Sequence, residues 1–280
     1  MKNFIHILSC SALLLLIVAC SGNGNDAEAT KEKRAMLRAD SIAYKVAVTP
    51  SAEALPIYVA EHLGLLDSVH TNVRIKRYHA LSECRIALQH NMVEAAIIDS
   101  ILVKVINDDM RSNGKASTAA GDKEFLSSTV IGISKYHLLT SRKARIHRIS
   151  QLPDKVIAAD SHGFTHEAAR MATDSLTKRK HNVFIVQAED LRVRSQMLMT
   201  GNVDGAILPE PFASQAIQKG AYSIKLAPQI LTTQTILAYR SATTKSPSRR
   251  KQQDNLLKAL SIANDSIKQY GAQNYFYLLK

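Results

Sequence analysis

The chain has 280 residues, a formal net charge of +12, three cysteines and no tryptophan. Its hydrophobic fraction of 46% is that of a soluble globular protein, and after Ala19 no apolar run approaches the roughly 20 residues that a membrane-spanning helix needs. The positive charge is scattered in short clusters, Arg142-Lys143, Lys178-Arg179-Lys180 and Arg249-Arg250-Lys251, without interleaved aromatics. That reads as a solvated basic surface, or as one that attracts an anionic ligand or membrane, and argues against a nucleic-acid partner; an aromatic content of 5% argues against the stacking platforms of an oligosaccharide site.

In chain order, Lys2 followed by the apolar run from Leu13 to Ala19 describes a secretory signal over residues 1–19. Ile17-Val18-Ala19-Cys20 closes it and resembles the lipobox of bacterial lipoproteins. The resemblance implies removal of the leader and diacylation of Cys20 on sulfur, with a further acyl chain such as palmitate on the new amino terminus. It places the protein in the bacterial cell envelope, lipid-anchored and facing the periplasm. The alternative is a plain signal peptide with an incidental cysteine. Two or three acyl chains on one residue anchor a protein stably, where a single chain does not. With Cys10 in the leader and Cys20 acylated, Cys84 is left alone, so stability must come from an ordinary core and not from a disulfide.

Residues 20–42 are polar and of alternating charge, the composition of a flexible tether. From Tyr44 the pattern changes to alternating strand and helix signals. Strands are expected at Tyr44–Thr49, Val73–Tyr78 and Glu94–Ile98. Helices are expected from Pro56 to about Leu65, Ser82 to about His90, and from Ile101 onward. Ser128 to Thr140 reads as two extended pieces around Ser134-Lys135. Further strands follow at Val156–Ala159, Val183–Gln187, Val203–Leu208, Tyr222–Leu226 and Thr235–Tyr239. They alternate with helices at about His166–Lys180, Leu191–Thr200 and Phe212–Lys219. The segment from Ser248 to about Gln269 carries Leu256, Leu257, Leu260 and Ile267 on one helical face. Repeated strand–helix units imply parallel sheets with crossover helices. The units fall into two sets, which predicts an α/β protein of two lobes: residues 43–128 with 227–280, and residues 142–226.

Three segments carry a specific resemblance. Ser51-Ala52-Glu53-Ala54-Leu55-Pro56-Ile57-Tyr58-Val59-Ala60-Glu61-His62-Leu63-Gly64-Leu65-Leu66 resembles the opening of periplasmic solute-binding proteins of the nitrate/sulfonate/taurine and thiamine-precursor type. Ser150-Gln151-Leu152-Pro153-Asp154-Lys155-Val156-Ile157-Ala158 is similar to the segment entering the second lobe of that family. Gly201-Asn202-Val203-Asp204-Gly205-Ala206-Ile207-Leu208-Pro209-Glu210-Pro211-Phe212 resembles its Gly-x-Val-Asp-Ala-x-x-x-x-Glu-Pro segment. The three stand in the family's order between Tyr44 and Tyr239. The resemblance implies a type II periplasmic-binding-protein fold with a two-segment hinge near Ser128–Ser141 and Ala227–Thr235. It also implies capture of a small anionic or heterocyclic solute by lobe closure, and delivery to the permease and ATPase of an ABC importer by a monomer.

Ligands of open α/β sheets bind outside the carboxyl ends of strands, where helix N-termini favour anions. The residues at such ends here are Ser51, Glu53, His79, Asp99, Ser100 and Glu210, with the loop Ser161-His162-Gly163-Phe164-Thr165. Within that loop Gly163 lets the backbone approach a ligand, and Ser161 and Thr165 offer hydroxyls. Ser161, Asp99 and Ser100 read equally well as helix caps, and Glu210 either binds a cationic group or holds a turn. His62, His79, His162 and His166 match no zinc spacing, so no metal is expected, nor any cofactor. Gly-x-Ser-x-Gly is absent, which argues against a hydrolase. Cys84 reads as a small core residue. An extracytoplasmic enzyme on the same scaffold, lyase-like, and a ligand-sensing lipoprotein are the alternatives to transport.

Overall fold

A computed structural model describes residues 30–31, 33–34, 42–67, 72–112, 126–178 and 181–279. Cys20 and the leader lie outside the described residues. Met1–Ala43 forms a unit distinct from Tyr44–Lys280. Within it, Thr30, Lys31, Lys33 and Arg34 are helical, as the surrounding run of Ala, Glu, Lys and Arg favours, where an irregular tether was expected. Among the described residues no helix is long and apolar enough to cross a membrane.

Tyr44–Lys280 is built from strand–helix pairs. Strand β1 (Tyr44–Val48) leads through a 3-10 turn at Ala52–Ala54 into helix α1 (Leu55–His62). Pro56 occupies the first turn of α1, where its missing N–H costs nothing, and Gly64 ends the segment at φ +70°. Then come β2 (Val73–Arg77), α2 (Leu81–Gln89), β3 (Ala95–Asp99) and α3 (Ser100–Ser112). The long β4 (Leu126–Thr140) opens a second series: β5 (Val156–Ala159), α4 (Phe164–Thr177), β6 (Phe184–Gln187), α5 (Leu191–Thr200), β7 (Gly205–Pro209) and α6 (Phe212–Gln218). The short β8 (Tyr222–Ser223), β9 (Thr232–Arg240), α7 (Pro247–Tyr270) and a 3-10 segment at Ala272–Leu278 complete it.

The strands form one sheet in the order β2-β1-β3-β9-β4-β7-β5-β6, with β8 also paired to β4. At one end β1 lies parallel to β2 and β3; at the other, β5 lies parallel to β6 and β7. Between them run β9 and β4, antiparallel to each other and to their outer neighbours. Ser134 and Lys135, expected to break the fourth strand, instead pair with Thr233 and Thr232. The polar character there reflects a ladder crossing between two half-sheets, and the irregularity sits earlier, at a bulge between Val130 and Gly132.

The inner strands of each half-sheet are buried on both faces, alternate side chains entering clusters on opposite sides. On β1, Tyr44, Val46 and Val48 join α1 and α7 in one cluster, while Ala47 joins α2 and α3 in another. On β7, Ile207 packs with α4, while Ala206 and Leu208 pack with α5 and α6. Cys84 is fully buried in the α2–α3 cluster, a core residue as expected.

Candidate functional site

Most of the expected site residues follow the carboxyl ends of parallel strands, and the two half-sheets bring many of these ends together. From the first half come Thr49, Ser51 and Glu53 after β1 and Asp99 at the end of β3. From the second come Asp160 and Thr165 around the start of α4, Glu189 after β6 and Arg194 on α5. Thr49, Glu53, Tyr136, Asp160, Thr165 and Arg194 line a cavity of about 10 Å³, barely the room one water needs. The halves meet directly at its edge: Phe164 N–H donates to Asp99 Oδ2 over 3.2 Å, and Ala52 N–H donates to the Glu210 carbonyl over 2.9 Å.

Charge is concentrated here in a way the solvent does not relieve. Glu53 is 5% exposed. Its Oε2 stands 3.5 Å from the Ser51 hydroxyl, and its Oε1 has no hydrogen-bond partner. Burial, then the neighbouring Asp99 and Asp160 carboxylates, push the Glu53 carboxyl up to about 8; the Ser51 hydroxyl and Arg194 act the other way. Asp99 is pushed up to about 6 by burial and by Asp160, against backbone N–H groups that favour its charged form. Arg194, 1% exposed, donates through Nε to the Ala188 carbonyl and through one terminal nitrogen to Thr165 Oγ1 and the Ile207 carbonyl. Burial lowers its pKa while Asp160, Glu189, Glu53 and Asp190 hold it up.

At the Ser161–Thr165 loop the protein's own carboxylates take the backbone N–H groups, which favours the helix-cap reading of that loop. Gly163 N–H donates to Asp160 Oδ1 over 2.8 Å, and His166 N–H reaches the same oxygen over 3.3 Å. Leu102 N–H donates to Asp99 Oδ1 over 2.8 Å at the start of α3. The reason is local: an aspartate ends β3 and another follows β5, each poised to cap the helix that comes next. The other expected residues are dispersed. Ser161 N–H donates to Glu189 Oε1, and its hydroxyl lies 2.6 Å from Nδ1 of the exposed His162. Ser161, His162 and Gly163 border a second cavity of about 10 Å³, with Ser82 and Arg85. Ser100 pairs its hydroxyl with Thr233 Oγ1. His79 is exposed, and its backbone N–H donates to Glu83 Oε2 at the start of α2. Glu210 accepts from Ser214 N–H and stands 3.5 Å from His137 Nε2.

Asp160, Glu189 and Arg194 were not singled out from the sequence. Arg194 did leave a signal: with Leu191, Ser195 and Leu198 it occupies the buried stripe of α5, a position where a guanidinium must have internal partners. A larger cavity of about 480 Å³ reaches Glu53 from another side, between Leu55, Gly132, Glu210 and Phe276. Among the described residues no group of three or more His, Cys, Asp or Glu is placed to hold a metal ion.

No family model and no curated protein matches this sequence. Solved structures do match in fold. The zinc-bound ligand-binding component of an ABC-type import system from Staphylococcus aureus is 10% identical, with a TM-score of 0.61 over 85% of this chain and 83% of that one. The periplasmic nitrate-binding protein NrtA from Synechocystis PCC 6803 is 12% identical, with a TM-score of 0.63 over 85% of this chain; the match spans 65% of that chain, under two thirds of its length. The periplasmic aliphatic sulphonate binding protein SsuA from Escherichia coli is 13% identical, with a TM-score of 0.57 over 85% of this chain and 77% of that one. The fold is therefore that of the type II periplasmic binding proteins, as the sequence led us to expect.

Proposed function

We propose that this protein is a solute-binding protein of an ABC importer, working outside the cytoplasm as a lipid-anchored monomer. It captures a small solute between two lobes and presents it to the permease and ATPase. The first lobe takes residues 43–128 and 227–280, the second 142–226. The paired β4 and β9 form the hinge, with the bulge near Gly132 a point where the ladder yields. Cys20 carries the lipid and keeps the lobes beside the membrane.

The observation that carries this reading is the pair of hydrogen bonds across the cleft, Phe164 to Asp99 and Ala52 to Glu210, closing the two half-sheets over buried ionisable groups. Opening the cleft breaks these contacts, and a bound solute supplies interactions that favour the closed arrangement. The fold shared with import-system binding components supports the same reading. Native mass spectrometry of freshly purified protein should reveal a co-purifying solute, and small-angle scattering should detect expansion when that solute is dialysed away. A scattering profile unchanged by solute removal would sink the closure mechanism.

One observation favours a second reading, a lyase-like enzyme. A buried carboxyl held near neutrality, as Glu53 is, suits a general acid or base. Incubating the co-purified solute with the protein and following it by NMR separates the two, since a binding protein returns it unchanged.

A further inference from the structure

The acidic side chains around the cleft are not equivalent. Both oxygens of Asp99 accept backbone N–H groups, and one oxygen of Asp160 accepts two. Glu53 alone has an oxygen that is buried and unanswered. Arg194, the cation of the cluster, directs its donors to Ala188, Thr165 and Ile207, and forms no ion pair with Glu53. An unsatisfied buried acceptor is costly and rare in native proteins, and at a cleft it marks a place where a ligand completes the pairing. The helix N-termini of α3 and α4, which would welcome an anion, already hold the carboxylates of Asp99 and Asp160. An incoming anion would find those backbone N–H groups taken and would stand among acidic side chains.

We propose, resting on the solute-binding reading above, that the solute is a small organic cation whose N–H groups pair with the free oxygen of Glu53. The class is a protonated amine, guanidinium or amidinium. Among the described residues no group of three or more His, Cys, Asp or Glu is placed to hold a metal ion, which favours an organic cation. Glu53 also borders the cavity of about 480 Å³, which leaves room for the rest of such a solute, against Leu55 and Phe276. In the empty cleft Glu53 is held protonated by burial and by Asp99 and Asp160; Ser51 and Arg194 oppose this, Glu189 and Asp190 flank Arg194, and Glu210 with His137 lies beyond. A cation arriving at Glu53 releases that proton to solvent and forms the ion pair in its place. Binding therefore tightens as pH rises toward about 8.

The test is isothermal titration of the full chain with methylguanidine, agmatine and putrescine, and with nitrate, taurine and magnesium chloride as counter-probes. Each is run near pH 6 and near pH 8 in buffers of different ionisation enthalpy. At least one cation should bind, more tightly at the higher pH and with proton release near neutrality. Glu53→Gln should weaken it by about tenfold to a hundredfold and abolish the proton release. Glu53→Asp, which keeps the charge, should retain the proton linkage, and thermal melts of both variants establish that they fold. Binding of nitrate, taurine or magnesium that is indifferent to Glu53→Gln overturns the cation assignment and leaves the solute-binding reading standing. Failure of all probes at millimolar concentration also overturns it. If native mass spectrometry then finds no co-purifying solute either, the solute-binding reading falls with it.

Discussion

Replacing Glu53 by Gln should stabilise the empty protein, and the gain should depend on pH. Gln has the shape of a protonated glutamic acid, so the substitution removes an ionisation and little else. The carboxyl titrates at an ordinary 4.5 in the unfolded chain and at about 8 when folded. Above pH 4.5 the unfolded chain loses a proton that the folded chain keeps, so stability is fully present below that point and falls as pH rises toward about 8. At neutral pH the penalty is about 3 kcal/mol, because each tenfold change in proton affinity is worth about 1.4 kcal/mol. Glu53→Gln is spared it. Urea denaturation of both proteins at about pH 5 and about pH 8 reads the difference directly, provided the m-values agree. The two stabilities should be close at the lower pH and diverge at the higher, with the variant ahead by several kcal/mol. The titration of Asp99, raised to about 6, contributes to both curves and largely cancels. Parallel curves for the two proteins would refute the assignment of Glu53 as a neutral buried acid.

Three further outcomes follow from the same geometry and from the N-terminal sequence. Arg194→Met should cost about 3 kcal/mol or more, because it strips donors from Ala188 and Ile207 and leaves Asp160 without its nearby cation; a thermal melt showing less than about 1 kcal/mol would contradict its structural weight. Gly163→Ala should destabilise the fold by about 1–3 kcal/mol, since its Cβ would stand 2.7 Å from Asp160 Oδ2 and 3.0 Å from Asp99 Oδ2, and unchanged denaturation would show that these carboxylates move freely. Cys20→Ala should release the protein from membranes, and a variant still sedimenting with membranes at high salt would argue against acylation.

The repeated strand–helix pattern was legible because each element has a strong period and a clear end. Val156–Ala159 and Leu191–Thr200 fall where the sequence puts them, the latter between the Asp190 cap, whose side chain accepts from Arg192 and Val193 N–H, and Gly201 at φ +73°. The crossing strand was not legible, since Ser134-Lys135 has the composition of a turn and only pairing with β9 makes it a strand. In the cleft, Ser51, Glu53, Asp99, Gly163 and Thr165 gather as their positions after strands suggest, whereas His79 is exposed. What the sequence could not convey is which acceptors meet which donors. Helix N-termini read as anion seats until the partners of Asp99 and Asp160 are known, and that depends on two segments more than sixty residues apart meeting across the cleft.

The position of β9 has a consequence for how the molecule is made. It lies between β3 and β4 in the sheet, yet it is the last strand along the chain. As the polypeptide emerges amino-terminus first, strands β4 to β8 can assemble while β3 still waits with one edge open. Residues of that strand, Ala95 to Asp99, are all buried in the finished protein, so the waiting edge is apolar and able to pair with other chains. The half begun first is thus the half finished last, closed only when Thr232–Arg240 slides between two strands already formed and α7 follows to cover it. A nascent chain halted before β9 should be prone to aggregation in proportion to how long that edge stays open.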